Sequence, residues 1–323
     1  MAVYTEVSDD LLQTFVHSYG LGELLSYKGI AEGVENTNYF VQTEKGPFIL
    51  TLYEKRVRSE DLPFFLGLME HLAERGLSCP TPVRDKKGQI LRTLADRPAV
   101  LIEFLEGLWI RRPQKKHCYE LGKSLARFHK LGADFKLYRE NSLSVSSWEA
   151  LYRSFSDRAD EITENLHTTI ESELSELNQA WPDHLPQGII HADLFPDNVF
   201  FLGDKISGLI DFYFACNDIL AYDIAICLNA WCFEQDNSFN ISKARALLQG
   251  YQTIRELDDD ELENLPLLAR GAALRFLLTR SYDWLNIQAD ALVKPKDPTE
   301  YLRKLNFHKT VKSAREYGLG DCI

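Results

Sequence analysis

Residues 189–214 read Ile-Ile-His-Ala-Asp-Leu-Phe-Pro-Asp-Asn-Val-Phe-Phe-Leu-Gly-Asp-Lys-Ile-Ser-Gly-Leu-Ile-Asp-Phe-Tyr-Phe, an apolar run broken at His191, Asp193, Asn198 and Asp211. A carboxylate placed in an apolar segment is costly unless it is paired or used, so these positions constrain the chain more than any others. Val199–Leu202 and Ile206–Ile210 read as two short strands joined by a turn at Gly203-Asp204-Lys205. Such a hairpin folds Asp211 back beside Asn198. An isolated Asp-Asn pair would only cap a turn; the whole pattern, set between two apolar strands, asks for a chemical reason.

The spacing from His191 to Asn198 is H-x-D-x-x-x-x-N, with a further Asp in an apolar strand end. Transfer of a phosphoryl group from ATP to an alcohol needs these residue types. A carboxylate orients the hydroxyl and accepts its proton, and hard oxygen ligands hold the Mg²⁺ that carries the triphosphate. Asp193 is the candidate base. Asn198 and Asp211 are the candidate metal ligands. His191 is the candidate brace of the loop, acting through hydrogen bonds.

Composition narrows the class. The chain has 323 residues, 45% hydrophobic and 26% charged, enough for a sizeable core and two lobes. A net charge of −12 with no basic tract excludes nucleic acid as a partner. The six cysteines lie scattered without a C-x-x-C pair, as reduced buried thiols do. No uncharged apolar run approaches the ~18 residues of a membrane span, and the acidic N-terminus is no signal peptide. A cytoplasmic enzyme with no membrane partner is expected.

Upstream, Ser8–Tyr19 has helical apolar spacing with Ser8 at the N-cap position. From Tyr27 the period shortens to two, and Tyr27–Ile30, Tyr39–Thr43 and Phe48–Glu54 read as strands. Between the first two, the loop at 31–38 carries Gly33, Asn36, Thr37 and Asn38. In a phosphoryl-transfer enzyme it would cover the nucleotide phosphates with backbone amides; it is not G-x-G-x-x-G, and taken alone such a loop is a hairpin turn more often than a phosphate loop. The third strand places Thr51 where a phosphate-binding lysine is expected. Lys55, on the same face by strand alternation, is a candidate substitute or a solvated strand end. Ser59–Arg75 reads as an amphipathic helix with Ser59 as N-cap, on which Glu70 either pairs with a phosphate-binding cation or faces solvent. After the strands Leu91–Thr93 and Ala99–Phe104, the stretch 103–107 is the expected hinge, where the backbone of Glu103 and Leu105 would meet the adenine edge. The expected division is a nucleotide-binding lobe at 1–106 and a helical acceptor lobe at 107–323.

Downstream, Gln114–Leu131 reads as a helix. Within it Leu121-Gly122-Lys123-Ser124 imitates the end of a Walker A loop, but His117 occupies the position of that motif's first glycine, which rejects it. Residues from Trp148 to about Ala180 read as helical and broken in the middle. Asp218–Phe233 reads as an apolar helix interrupted by Asp223, a carboxylate expected to cap the preceding loop. Helices are also expected at Lys243–Tyr251, Asp258–Arg270 and Gly271–Asn286. Arg270, Arg275 and Arg280 recur at five-residue steps and so do not share a helix face.

With loop, hairpin and hinge in place, the chain resembles the aminoglycoside-phosphotransferase and choline-kinase group of protein-kinase-like enzymes. It has His-Ala-Asp rather than His-Arg-Asp, Asp211-Phe212-Tyr213 without the glycine of D-F-G, and no Ala-Pro-Glu after it. These departures remove the features that read a phosphorylated activation loop. The segments Glu32–Phe40, Arg139–Leu143, 191–198, Ile210–Asp218 and Tyr222–Phe233 further resemble the homoserine kinases of this group. The resemblance implies an α+β, bilobal protein-kinase-like fold with a small antiparallel-sheet N-lobe and a mostly helical C-lobe. It implies ATP and Mg²⁺ as cofactors and L-homoserine as substrate, giving O-phospho-L-homoserine for threonine synthesis. Homoserine's carboxylate and ammonium would require a cationic or amide donor and an acidic acceptor near Asp193, with Arg275 and Arg280 as candidates for the first. The alternatives are a kinase of another small alcohol (choline, aminoglycoside or thiosugar type), a nucleotide-binding pseudokinase, and a metal-dependent hydrolase on His191 and Asp193. The last would need further ligands, and His117 and His184 lack the spacing to supply them.

Overall fold

The computed structural model describes residues 5–30, 36–54, 57–287 and 295–319, which pack into two units. The first comprises residues up to Gly107 together with Ser207–Tyr213; the second comprises Leu108–Ile206 and the chain from Phe214 onward. Lys55, Gly33 and Cys322 lie outside the described residues.

The first unit is built on a five-stranded antiparallel sheet in the order β1-β2-β3-β5-β4: β1 Leu24–Gly29, β2 Thr37–Thr43, β3 Gly46–Leu52, β4 Arg92–Leu94 and β5 Arg97–Glu103. Strict alternation gives the sheet two unlike faces. Tyr39, Val41, Leu50, Leu52, Ala99 and Leu101 turn to one face and are buried against Leu12, Phe15 and Val16 of α1 (Asp9–Ser18). The other face carries Asn38 opposite Thr51 opposite Val100, and Phe40 opposite Ile49 opposite Ile102. Ser8 precedes α1 but its side chain makes no capping bond; Asp9 and Asp10 complement the helix dipole instead. The expected helix from Ser59 begins as a short 3₁₀ turn, Ser59–Asp61, because Pro63 stands in the first turn of α2 (Leu62–Glu74). Glu70 on α2 pairs with Arg84 at 2.6 Å and is a surface ion pair. The β4–β5 turn is made by Ala95 and Asp96, both at positive φ (49° and 58°), a turn form that glycine or asparagine ordinarily signals.

The second unit is helical. It contains β6 Leu108–Trp109, α3 Lys115–Gly132, α4 Val145–Arg153, α5 Leu166–Ala180, β7 Gln187–Ile190, β8 Val199–Leu202, β10 Cys216–Ile219, α6 Leu220–Trp231, α7 Ile241–Gln252, α8 Asp259–Leu285 and α9 Thr299–Thr310. β9 (Lys205–Leu209) follows β8 through the turn at Gly203, φ +62°, and its last residues belong to the first unit. The helix expected from Asp218 starts at Leu220, since Cys216–Ile219 pair antiparallel with β7. The two helices expected around Gly271 are one. Gly271 does not end the helix; a Cβ there would lie 2.3 Å from Trp181, so its missing side chain makes room for the indole. Gly122, of the false Walker motif, serves packing as well: its Cβ would lie 2.0 Å from the Leu247 carbonyl, and one on Gly250 would lie 2.1 Å from the Tyr119 carbonyl. α3 and α7 thus touch backbone to backbone. The five described cysteines are buried free thiols. No described helix is long and apolar enough to cross a membrane.

Two predictions concern this scaffold. Gly122→Ala should destabilise the protein by at least about 2 kcal/mol in urea unfolding, since the obstacle is backbone that cannot rotate away. His308 is buried beside the Tyr317 hydroxyl (2.7 Å), and burial, with the charge of Lys304, depresses its imidazole from 6.5 to about 3. The unfolded chain takes up this proton below about pH 6.5 and the folded chain only near pH 3, so stability falls as pH drops through that window. His308→Phe should flatten the fall in melting temperature between about pH 6.5 and 5; an unchanged slope would assign the acid sensitivity elsewhere.

Candidate active site

In the second unit the site begins at β7, which delivers His191 and Ala192 into a tight turn. Ala192 has φ 61°, a left-handed conformation that costs an L-residue about 1–2 kcal/mol. Three bonds hold it. Buried Asp223, on α6, accepts the amides of His191 (2.7 Å) and Ala192 (3.0 Å), and Arg275, on α8, donates to the Ala192 carbonyl (2.6 Å). This is the capping role expected of Asp223. Burial opposes ionisation of Asp223, but the His129 ring at 3.2 Å, the amides and His191 outweigh it and hold its carboxyl below the ordinary value. His129 in turn meets the Tyr251 hydroxyl at 2.8 Å, tying α3, α6 and α7 to the loop.

Asp193 follows the strained residue. Its carbonyl accepts the Phe195 amide (2.9 Å) and Asn198 Nδ2 (2.8 Å), and its Oδ2 lies 3.3 Å from the same Nδ2. The indole of Trp231 donates to the Leu194 carbonyl at 2.8 Å. Burial pushes the Asp193 carboxyl up to about 6, against the pull of Arg275 and Lys296. Asp193 is therefore a stronger base than a surface carboxylate and still ionised at neutral pH. His191 is fully buried and stands beside Phe128 in the interior, consistent with a brace rather than a substrate contact. Since Asn198 Nδ2 is engaged with Asp193, its Oδ1 is the acceptor end of the amide.

Asp211 stands in the first unit, exposed, at φ 63° after β9. An amide oxygen and a carboxylate are hard donors of the kind octahedral Mg²⁺ takes alongside water and phosphate, so Asn198 and Asp211 fit that ion. Among the described residues no group of three or more His, Cys, Asp or Glu side chains is placed to hold a metal ion.

The nucleotide candidates of the first unit divide. Asn36 Oδ1 accepts the Glu54 amide (3.3 Å), and Thr37 Oγ1 donates to the Glu54 carboxylate (2.8 Å) while accepting the Thr5 amide (3.1 Å). Their side chains buttress the strands. Asn38 and Thr51 bond to each other at 2.7 Å. Glu103 ends β5 exposed, its amide donating to the Thr81 carbonyl (2.9 Å), and Leu105 packs over Gly208. Phe104 stands edge-on to Phe40 at 5.5 Å, an aromatic contact that side-chain patterning did not indicate. Of the two arginines, Arg275 is 1% exposed, stacked on Phe276 at 4.6 Å and engaged with Ala192. Arg280 pairs with Glu300 (2.7 Å) over the Tyr301 ring.

Comparison with known proteins follows this geometry. The phosphotransferase enzyme family matches residues 26–257. The homoserine kinase of Bradyrhizobium sp. (strain ORS 278) is 62% identical over 320 residues, covering 99% of each chain. That of Sinorhizobium fredii (strain NBRC 101917 / NGR234) is 60% identical over 319 residues, covering 99% of this chain and 98% of the other. Among solved structures, an amicoumacin kinase in complex with AMP-PNP, Ca²⁺ and Ami superposes with a TM-score of 0.68 at 18% identity, over 94% of this chain and 92% of that one. A spectinomycin phosphotransferase in complex with ADP and spectinomycin gives 0.68 at 14% identity, over 98% and 99%. The fold is thus the α+β, protein-kinase-like one that the motifs implied.

Asp223→Asn keeps the shape but leaves one of its oxygens replaced by a donor facing the His191 and Ala192 amides. It should lower kcat by at least ~10-fold and stability by about 3 kcal/mol, the scale of a broken buried charge contact. Steady-state kinetics and urea unfolding on the same preparation check both.

Proposed function

We propose that this chain, which belongs to the phosphotransferase enzyme family, transfers the γ-phosphoryl group of ATP to the hydroxyl of L-homoserine, giving O-phospho-L-homoserine for threonine synthesis. The observation that carries the chemistry is Asp193, held by a turn in which the amides of His191 and Ala192 and the carbonyls of Ala192, Asp193 and Leu194 are all engaged. What supports the acceptor is the identity of about 60% with homoserine kinases over the whole chain.

In this reading Asp193 Oδ receives the hydrogen bond of the acceptor hydroxyl, orients its lone pair toward the γ-phosphorus, and takes the proton as the O–P bond forms. The bond to the ADP oxygen breaks in the same displacement. Burial of the Asp193 carboxyl raises its proton affinity without suppressing ionisation near neutrality. Asn198 and Asp211 are the proposed Mg²⁺ ligands; the ion, when bound, neutralises developing charge on the phosphate oxygens. His191 braces the loop from within. The 103–107 backbone receives the adenine edge, while the phosphate-covering role expected of the loop at 31–38 falls largely outside the described residues. Because Arg275 donates to the Ala192 carbonyl, its part is to set the loop, with Arg280 held by Glu300.

Two measurements test the proposal. ATP consumption against homoserine, choline, serine, threonine, ethanolamine and an aminoglycoside should select L-homoserine; preference for another alcohol would overturn the acceptor. Asp193→Ala should lower kcat by at least ~10²-fold with intact folding, the scale of lost base and positioning help. Near-normal turnover would take the base role from Asp193. Asp211→Ala should abolish Mg²⁺-dependent transfer, and persistence of transfer would reassign the metal.

A further inference from the structure

Homoserine brings two charges to the site, and both Arg275 and Arg280 are already engaged, the first by the Ala192 carbonyl and the second by Glu300. Two methylenes separate the acceptor hydroxyl from the α-carbon. The groups that read the ammonium and the carboxylate must therefore stand on or beside the loop that carries Asp193. The second unit holds such a pair. Asp197 lies in the short 3₁₀ turn Pro196–Asn198, and its Oδ2 stands 3.9 Å from Lys296 Nζ. The same ammonium lies over the Phe195 ring, 5.4 Å from its centroid. Phe195 is tied to the base, its amide donating to the Asp193 carbonyl, and its ring packs edge-on against Phe276 at 5.0 Å. Lys296 in turn belongs to an anchored segment. Its neighbour Asp297 accepts the Thr299 amide and hydroxyl, both at 2.8 Å, at the start of α9, and the Asp297 carbonyl accepts from Arg280 at 3.4 Å. Arg280 thus holds the backbone that presents Lys296.

Two features mark the pair as open. A closed ammonium–carboxylate contact is about 2.8 Å, so at 3.9 Å each group stops short of the other. Both side chains also stay more than half exposed, 64% for Lys296 and 53% for Asp197, and an ion pair so placed adds little to stability. Beyond burial, the charges that act on the Asp193 carboxyl are those of Arg275, Asp197 and Lys296. We propose that Asp197 and Lys296 read the acceptor: Lys296 binds the α-carboxylate of homoserine and Asp197 its α-ammonium, with the hydroxyl arm running from this pair to Asp193. The zwitterion replaces one long ion pair by two short ones. An amino alcohol without the carboxylate, or a hydroxy acid without the ammonium, satisfies one half only, so the pair selects amino-acid acceptors over simple alcohols. The proposal rests on the reading of homoserine as the acceptor.

The test is the KM of the full-length protein for L-homoserine, with the inhibition constants of two analogues against it. One is 3-aminopropan-1-ol, which lacks the carboxylate; the other is 4-hydroxybutyrate, which lacks the ammonium. Lys296→Met and Asp197→Asn keep shape and remove one charge each, and at exposed positions neither threatens the fold. Each should raise the homoserine KM at least ~10-fold, the worth of one hydrogen bond to a charged group. The analogues should then cross over. Lys296→Met should weaken 4-hydroxybutyrate and spare 3-aminopropan-1-ol, and Asp197→Asn should do the reverse. Lys296→Arg, which keeps the charge, should recover most of the homoserine affinity. A disturbed loop would weaken both analogues together, so a joint shift overturns the proposal, as does an unchanged homoserine KM in either variant. If the wild type fails to phosphorylate homoserine, the acceptor reading falls and this proposal with it; if it phosphorylates homoserine without the crossover, the pair alone is overturned.

Discussion

Everything chemical in the second unit depends on one buried carboxylate. Asp223 accepts two adjacent amides, those of His191 and Ala192, which point the same way only because Ala192 is left-handed. An extended or helical residue there would aim one of them elsewhere. The carboxylate therefore selects the turn, and the turn sets the direction in which Asp193 leaves it. A buried carboxylate without partners would protonate or destabilise the fold. His129 and Tyr251 supply the compensation from two other helices, so the position of Asp193 is coupled to the packing of the helical unit as a whole.

The first unit solves a different problem with neutral groups. A lysine on β3 would supply charge to the phosphates and a salt bridge to a neighbouring helix; a threonine supplies neither. Its sheet face is instead amide, hydroxyl and half-buried hydrocarbon, with Lys28, which pairs with Phe40, exposed on β1 at the same face. With a net charge of −12 the chain as a whole adds no cationic field. Under the proposed function, phosphate neutralisation falls on the metal and on backbone amides.

Legibility followed the range of the interaction. Val199–Leu202 and the alternating strands of the first unit could be read because period and turn residues are local signals. Asp223 could be flagged because a carboxylate in an apolar helix needs partners wherever they come from. What could not be read is pairing at a distance. Cys216–Ile219 is a strand only because Gln187–Ile190 lies beside it, and its sequence reads just as well as the start of α6. Gly271 looks like a helix end until the indole of Trp181 is known to occupy its missing side chain. Arg275 and Arg280 looked alike, five residues apart, and were distinguished by Ala192 and by Glu300, one remote in sequence and one on a helix not anticipated. Tyr213 registered only as a glycine lost after Asp-Phe; the hydrogen bond between its hydroxyl and that of Tyr53 spans 160 positions of sequence.

Ala192 and Asp211 are the two strained residues of the 189–214 stretch, and neither is glycine. Glycine would adopt either conformation with less strain, but it would also widen the unfolded ensemble and free the turn to take others. A left-handed alanine or aspartate has few alternatives of its own and stays in place only while its neighbours insist. Those neighbours lie far away in the chain: Asp223 and Arg275 for Ala192, Ser78 and Tyr53 for the flanks of Asp211. The motif therefore states which atoms do the chemistry, while their placement is written in residues outside it. That is why a carboxylate on α6 bears on the placement of Asp193, which it does not touch.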